Sequence, residues 1–250
     1  MRSRIPVVCA DAASSDAGTS GGGSIDSAER NRGGLPIHYD FHATGLVVFD
    51  MLEAYRESIE AAGSIGPTMR LIAACRGVGV PVFYARADHR ADGADFARTL
   101  ADTDGQFRRW GPDNRYRPVP AHASGSPGLS VLAELGPQPG DYDVPKHRWS
   151  AFRGTHLELS LRSRDIDTIL LVGGSVHVGI AATAYDARDR DFQITIVPEC
   201  CHGLPDQRAF FMDRVFPRMC NVRTIDEVIL GLTPRPDRRL VEEPVAGHRM

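Results

Sequence analysis

Three places in this 250-residue chain combine residues that could do chemistry with surroundings that make those residues costly. Asp50 closes the apolar run Gly45–Asp50 (GLVVFD), where a carboxylate is expensive to bury unless it is paired or has a task. Lys146 follows Val144 and Pro145, and an ammonium there could pair with Asp50 and hold it ionised, or meet an anionic substrate. The third place is the turn at 175–179 within GGSVHVGI, whose backbone N–H groups stand at the start of a helix and could hold a developing negative charge. Together these are the parts of an acid–base site. Each also has a plainer explanation: Asp50 as the cap of a helix beginning at Met51, Lys146 as a solvated charge, and the turn as a small-residue packing corner.

The elements that must position these groups follow from periodicity. The run Ile169–Val172 is too short for a helix and is bounded by Gly173 and Gly174, so it reads as an interior strand. Ile180, Ala181, Ala184 and Ala187 then recur at helical spacing, which places the turn in the strand-to-helix crevice where open α/β sheets bind ligands. Strands are also predicted at Gly45–Asp50, Val80–Ala85, Tyr142–Val144, Ile194–Val197 and near Cys220–Arg223. Helices are predicted at Pro67–Val78, Leu129–Leu135, Leu157–Arg164, Asp206–Phe216 and Ile225–Leu230. This alternation implies an α/β fold with a mainly parallel sheet covered on both faces. Residues 86–124 are polar and aromatic and read as short helices with a lid or substrate loop. Residues 1–36, with GTSGGGS at 18–24, read as a flexible tail; 37–233 form the domain, and 234–250 are a second tail.

Composition limits the function. A net charge of −3 with neither a long basic run nor interleaved aromatics argues against nucleic acid as a partner. No apolar stretch reaches the roughly 18 residues of a membrane span, and IPVVCA is too short for a signal-peptide core, so a cytoplasmic protein is expected. Five irregularly spaced cysteines offer neither a disulfide framework nor a CxxC metal site and suit a reducing compartment.

Across roughly residues 43–230 the chain resembles the isochorismatase-like hydrolase superfamily, which also contains nicotinamidases and N-carbamoylsarcosine amidases. The likeness is carried by LVVFDM (46–51), VPKHRWSAFRGTHLELSLRSRDIDTILLVGG (144–174) and AATAYDARDRDF (181–192). It implies a three-layer αβα sandwich with about six strands, a site using Asp50 and Lys146, and a cis peptide at Ser175–Val176 that would aim the Val176 and Gly179 N–H groups into the pocket. Most of the family places a nucleophilic cysteine where this chain has Gly179, so covalent acyl-enzyme chemistry by that route is not expected. Cys200 and Cys201 end a different strand and read as buried thiols.

The turn with His177, Val178 and Gly179 resembles that of the true isochorismatases, which hydrolyse a vinyl ether without a thiol. Trp110-Gly111-Pro112, the stretch ELGPQPGD (134–141) and Arg148-Trp149-Ser150-Ala151-Phe152 extend the likeness. By that resemblance Asp50 is the general acid, Lys146 its electrostatic partner, and Gly179 leaves room for a ring. Arg86, Arg153, Trp110, Trp149 and Phe152 are candidates for walls and anion contacts around a small cyclic acidic metabolite, with Val176 and His177 in the turn. Two glutamines usual in isochorismatases are replaced by Leu52 and Ala87, which points to altered substrate recognition. Asp88-His89-Arg90 does not reproduce the Asp-x-His metal pattern of nicotinamidases. No metal and no cofactor are therefore expected, and His89, His147 and His156 read as surface or loop residues. No carrier-protein domain is expected after the hydrolase domain. The remaining alternatives are a non-catalytic binding protein of the same fold and a Cys-to-Gly variant of an amidohydrolase. A homo-oligomer is the expected assembly.

Overall fold

Apolar residues on both faces of each central strand require a layer of helices on either side, and the computed structural model of residues 37–92, 94–95 and 123–232 has that arrangement. Its strands are β1 (Thr44–Phe49), β2 (Val82–Ala87), β3 (Tyr142–Lys146), β4 (Thr168–Gly173), β5 (Gln193–Cys201) and β6 (Asn221–Val222). They form one parallel sheet in the order β3-β2-β1-β4-β5-β6. The helices are α1 (Arg56–Ala61), α2 (Ile65–Gly77), α3 (Leu157–Arg162), α4 (Ala181–Arg188), α5 (Pro205–Phe210) and α6 (Ile225–Leu232).

Alternation along the strands sends residues to two cores. Val47, Phe49, Phe83, Ala85, Ile169 and Leu171 pack with Leu157 and Leu161 of α3 and with Ala181, Ala184 and Ala187 of α4. Leu46, Val48, Val82, Tyr84, Leu170 and Val172 pack with Ile59 of α1, Leu71, Ile72 and Cys75 of α2, and Val228 and Leu232 of α6. The expected three-layer αβα sandwich with six strands is thus formed. Because the order runs outward from β1 through β2 to β3 and from β4 through β5 to β6, the switch point lies between β1 and β4. Ligands in open α/β sheets bind beyond the strand ends at such a point. Asp50 follows β1, and the 174–180 turn follows β4.

Several elements differ from the sequence reading. Leu129–Leu135 is two 3-10 turns, Pro127–Leu129 and Ala133–Leu135, joined at Val131, which forms an isolated antiparallel bridge to Leu52. A strand-like bridge and a helical turn share the same short apolar spacing, so the pattern did not separate them. β3 runs on through Pro145 to Lys146, which an edge strand permits because proline's missing donor faces no neighbour there. Strand β5 extends to Cys201, and the predicted 206–216 helix is α5 followed by a wider π turn at Phe211–Val215. Helix α4 is likewise preceded by a π turn, Val176–Ile180. The cis peptide bond lies at Gly174–Ser175, one residue earlier than predicted. Trp110 and most of 86–124 fall outside the described residues.

Candidate active site

Asp50 leaves β1 with φ +45°, a left-handed conformation uncommon for a residue with a side chain, while its N–H donates to the Ala85 carbonyl at 2.8 Å. This bend turns the carboxylate toward the ends of β2 and β3. Its Oδ1 accepts the Ala87 N–H at 2.8 Å, and its Oδ2 accepts Lys146 Nζ at 2.7 Å. The two side chains are only 9% and 6% exposed. The carboxylate and ammonium expected from sequence are therefore brought together as a buried, hydrogen-bonded ion pair. Lys146 Nζ also lies 4.2 Å from the centre of the Phe49 ring, a cation–π contact that fills its remaining side.

The pair opens on a cavity of about 660 Å³ lined by Phe49, Tyr55, Ala87, Trp149, Arg153, Ser175, Val178 and Gly179. His89, His147, Arg148, Ser150 and Asp186 complete its wall. A ring-sized metabolite fits such a volume. Burial, with help from the Asp50 charge, pushes the Tyr55 phenol up to about 12, so it stays protonated and can donate a hydrogen bond. Burial holds the His89 imidazole below its usual range, and Asp95 pulls it the other way.

Gly179 is buried at the cavity wall, and the space beside it is taken. A Cβ built there would fall 2.1 Å from Phe49 Cε1 and 2.4 Å from Cζ. Contacts that short do not occur, so the Phe49 ring stands where a side chain at 179 would have to begin. None of Cys75, Cys200, Cys201 and Cys220 lines the cavity. Cys201 is buried with its thiol pushed up to about 12, the state of an unreactive core cysteine.

The other predicted site residues divide. Trp149 and Arg153 lie in the cavity wall, Trp149 being 68% exposed at its lip. Phe152 is a core residue packed on Phe192, and Val176 is fully buried with its N–H donated to the His202 carbonyl at 3.1 Å. The Val176 N–H is therefore not free for an anion, because the carbonyl of His202, the residue following β5, takes that donor. His177 bonds to Ser175 Oγ at 3.2 Å and is not among the cavity residues. Arg86 pairs with Asp143 at 2.6 Å and Asp88 at 3.5 Å, and lines a different cavity on the far side of β2. His156 is a loop residue, bonded to the Asp143 carbonyl and Ser160.

Sequence reasoning passed over Phe49, whose signal was a bulky residue immediately before the acid in a chain with glycine at 179. It also passed over the support of the 147–153 loop. There the Ala151 N–H donates to the buried Thr183 Oγ1 at 3.0 Å, and Ser150 Oγ donates to Asp186 at 2.5 Å, which ties the loop to α4.

Comparison with known proteins agrees with this architecture. The Isochorismatase domain family matches residues 44–227. The chain is 30% identical over 200 residues to the uncharacterized isochorismatase family protein YecD of Escherichia coli O157:H7, covering 76% of this chain and 96% of that protein. It is 29% identical over 186 residues to the ureidoacrylate amidohydrolase RutB of Methylorubrum extorquens, covering 67% and 73%. In fold it is similar to an isochorismatase family protein from Burkholderia thailandensis, with TM-score 0.65, 24% identity, and 80% and 99% of the two chains covered. With a family match across most of the chain and a buried Asp50–Lys146 pair at the switch point of its sheet, the protein belongs to the isochorismatase family of hydrolases.

Proposed function

We propose that this protein hydrolyses a small cyclic carboxylated metabolite without a nucleophilic thiol, using Asp50 and Lys146 for proton transfer, and that an isochorismate-type vinyl ether is its lead substrate. The observation that carries this reading is the juxtaposition of a retained, buried Asp50–Lys146 pair with a position 179 that has no side chain and no room for one. Amide hydrolysis through an acyl-enzyme needs the nucleophile that is missing. Vinyl ether hydrolysis does not.

In the proposed reaction the proton shared within the Asp50–Lys146 pair passes through the Asp50 carboxyl group to the methylene carbon, and the carboxylate left behind offsets the charge of the oxocarbenium ion. Water adds to that cation, returns a proton to Asp50, and the hemiketal collapses to pyruvate and an alcohol. Lys146, 2.7 Å from Oδ2, fixes the carboxyl group and shares its proton. Arg148 and Arg153 offer forks for substrate carboxylates, and Trp149 offers an apolar face for the ring. A cytoplasmic homo-oligomer is part of the same reading. It is supported by the free thiols Cys75, Cys200, Cys201 and Cys220 and by the exposed apolar side chains of Leu159, Leu204 and Phe210. No described helix is long and apolar enough to cross a membrane.

The test is pyruvate release from isochorismate by the purified protein before and after alkylation of its thiols. Release that survives alkylation and falls by about 10²-fold or more in Asp50→Asn supports the reading. Release that is lost on alkylation, or kept in Asp50→Asn, overturns it.

A further inference from the structure

His89 and Asp95, both after β2 in the chain, meet His147, just past β3, and both imidazoles line the same cavity. One ligand-capable atom from each lies within 4.8 Å of the other two. His89 Nδ1 is 3.4 Å from Asp95 Oδ1, and His147 Nδ1 is 3.2 Å from Asp95 Oδ2. The imidazoles are 5.8 Å apart between centres and inclined at 57°, so they converge without stacking. A tetrahedral ion with bonds of about 2.0–2.1 Å spaces its ligand atoms roughly 3.3 Å apart. Each imidazole nitrogen stands near that separation from one carboxylate oxygen, His89 from Oδ1 and His147 from Oδ2.

We propose that His89, Asp95 and His147 bind a divalent transition-metal cation of the zinc type. Two imidazoles and one carboxylate are a donor set that borderline cations such as zinc and cobalt accept and that calcium and magnesium do not favour. Three protein ligands leave a coordination position for water or a substrate oxygen, the composition of a catalytic rather than a structural centre. Both imidazoles line the cavity that holds Asp50, Lys146 and Gly179. The bound ion thus lies in the chamber where the proposed hydrolysis needs an oriented water that no side-chain nucleophile replaces. That last role rests on the hydrolase reading above, whereas the binding site itself does not.

The experiment uses the full chain, freed of metal by chelation and dialysis, and titrated with cobalt(II) and then zinc(II). Calorimetry is expected to give one strong equivalent per chain, with cobalt d–d bands of low-symmetry nitrogen and oxygen coordination and no thiolate charge-transfer band. His147→Ala, at a half-exposed position, and Asp95→Asn should each weaken affinity by about 100-fold or more while retaining the wild-type far-UV spectrum. Asp50→Asn should bind the metal as the wild type does, so loss of turnover and loss of metal binding are separate results. Absence of a saturable equivalent, thiolate charge-transfer bands, or unchanged affinity in both ligand variants would overturn the assignment.

Discussion

Phe49 and Gly179 share one volume: a Cβ on Gly179 would lie 2.1 Å from the Phe49 ring. The absence of a side chain at 179 is therefore matched at two positions, one before Asp50 at the end of β1 and one in the turn after β4. Gly179→Cys is expected to destabilise the protein by about 1–3 kcal/mol through overpacking and to add no thiol-dependent turnover. In a Phe49→Ala background the same change should cost much less. Thermal unfolding of the four proteins in this cycle measures the coupling.

The Asp50–Lys146 pair should be far more sensitive to half-removal than to neutral replacement of both members. Lys146→Met leaves a carboxylate buried beside an apolar side chain and is expected to cost about 3–5 kcal/mol. Asp50→Asn combined with Lys146→Met should recover much of that loss. Denaturant midpoints at pH 7 distinguish this from a pair that contributes by packing alone.

His202 gives a pH signature. It is buried beside the turn with Nδ1 at 3.2 Å from Ser58 Oγ, and burial pulls its imidazole down to about 4. Between the ordinary histidine value and about 4 the unfolded chain binds a proton that the folded protein refuses. Stability is therefore full above the ordinary value and falls with pH across that window, by up to about 3 kcal/mol. His202→Gln should flatten this part of the stability profile, which urea titrations at a series of pH values would record.

A buried hydroxyl, that of Thr183, is one of the two ties that hold the cavity wall to α4. Thr183→Val removes the acceptor of the Ala151 N–H and is expected to cost about 1–3 kcal/mol. Because Ala151 anchors the loop bearing His147, Arg148 and Trp149, KM should rise more than kcat falls. Steady-state kinetics of the variant on a turned-over substrate reads the two apart.

Much of this architecture was legible because its central strands are covered on both faces and so appear as unbroken apolar runs, as in LVVF and ILLV. Asp50 stood out for the same reason: a charge ending such a run is conspicuous. The strand expected at Tyr142–Val144 runs on through Pro145, which puts Lys146 at its end. The capture of the Val176 N–H by the His202 carbonyl, just past β5, is a contact between distant segments that carries no periodic signal. Arg86 and Ala87 are neighbours in β2, and strand alternation sends only Ala87 to the cavity that holds Asp50 and Lys146. The approach of His147 to His89 and Asp95 is a product of the pairing of β2 with β3, which no local spacing encodes.

The central claim is that Asp50 protonates carbon, and the fate of that proton tests it most directly. Isochorismate should be incubated with the protein in D2O and the released pyruvate examined by mass spectrometry before solvent exchange sets in. The account predicts pyruvate with a single deuterium in its methyl group, formed at a rate that drops by about 10²-fold or more in Asp50→Asn. Pyruvate without that deuterium, deuterated pyruvate formed equally fast by Asp50→Asn, or no pyruvate at all would contradict it.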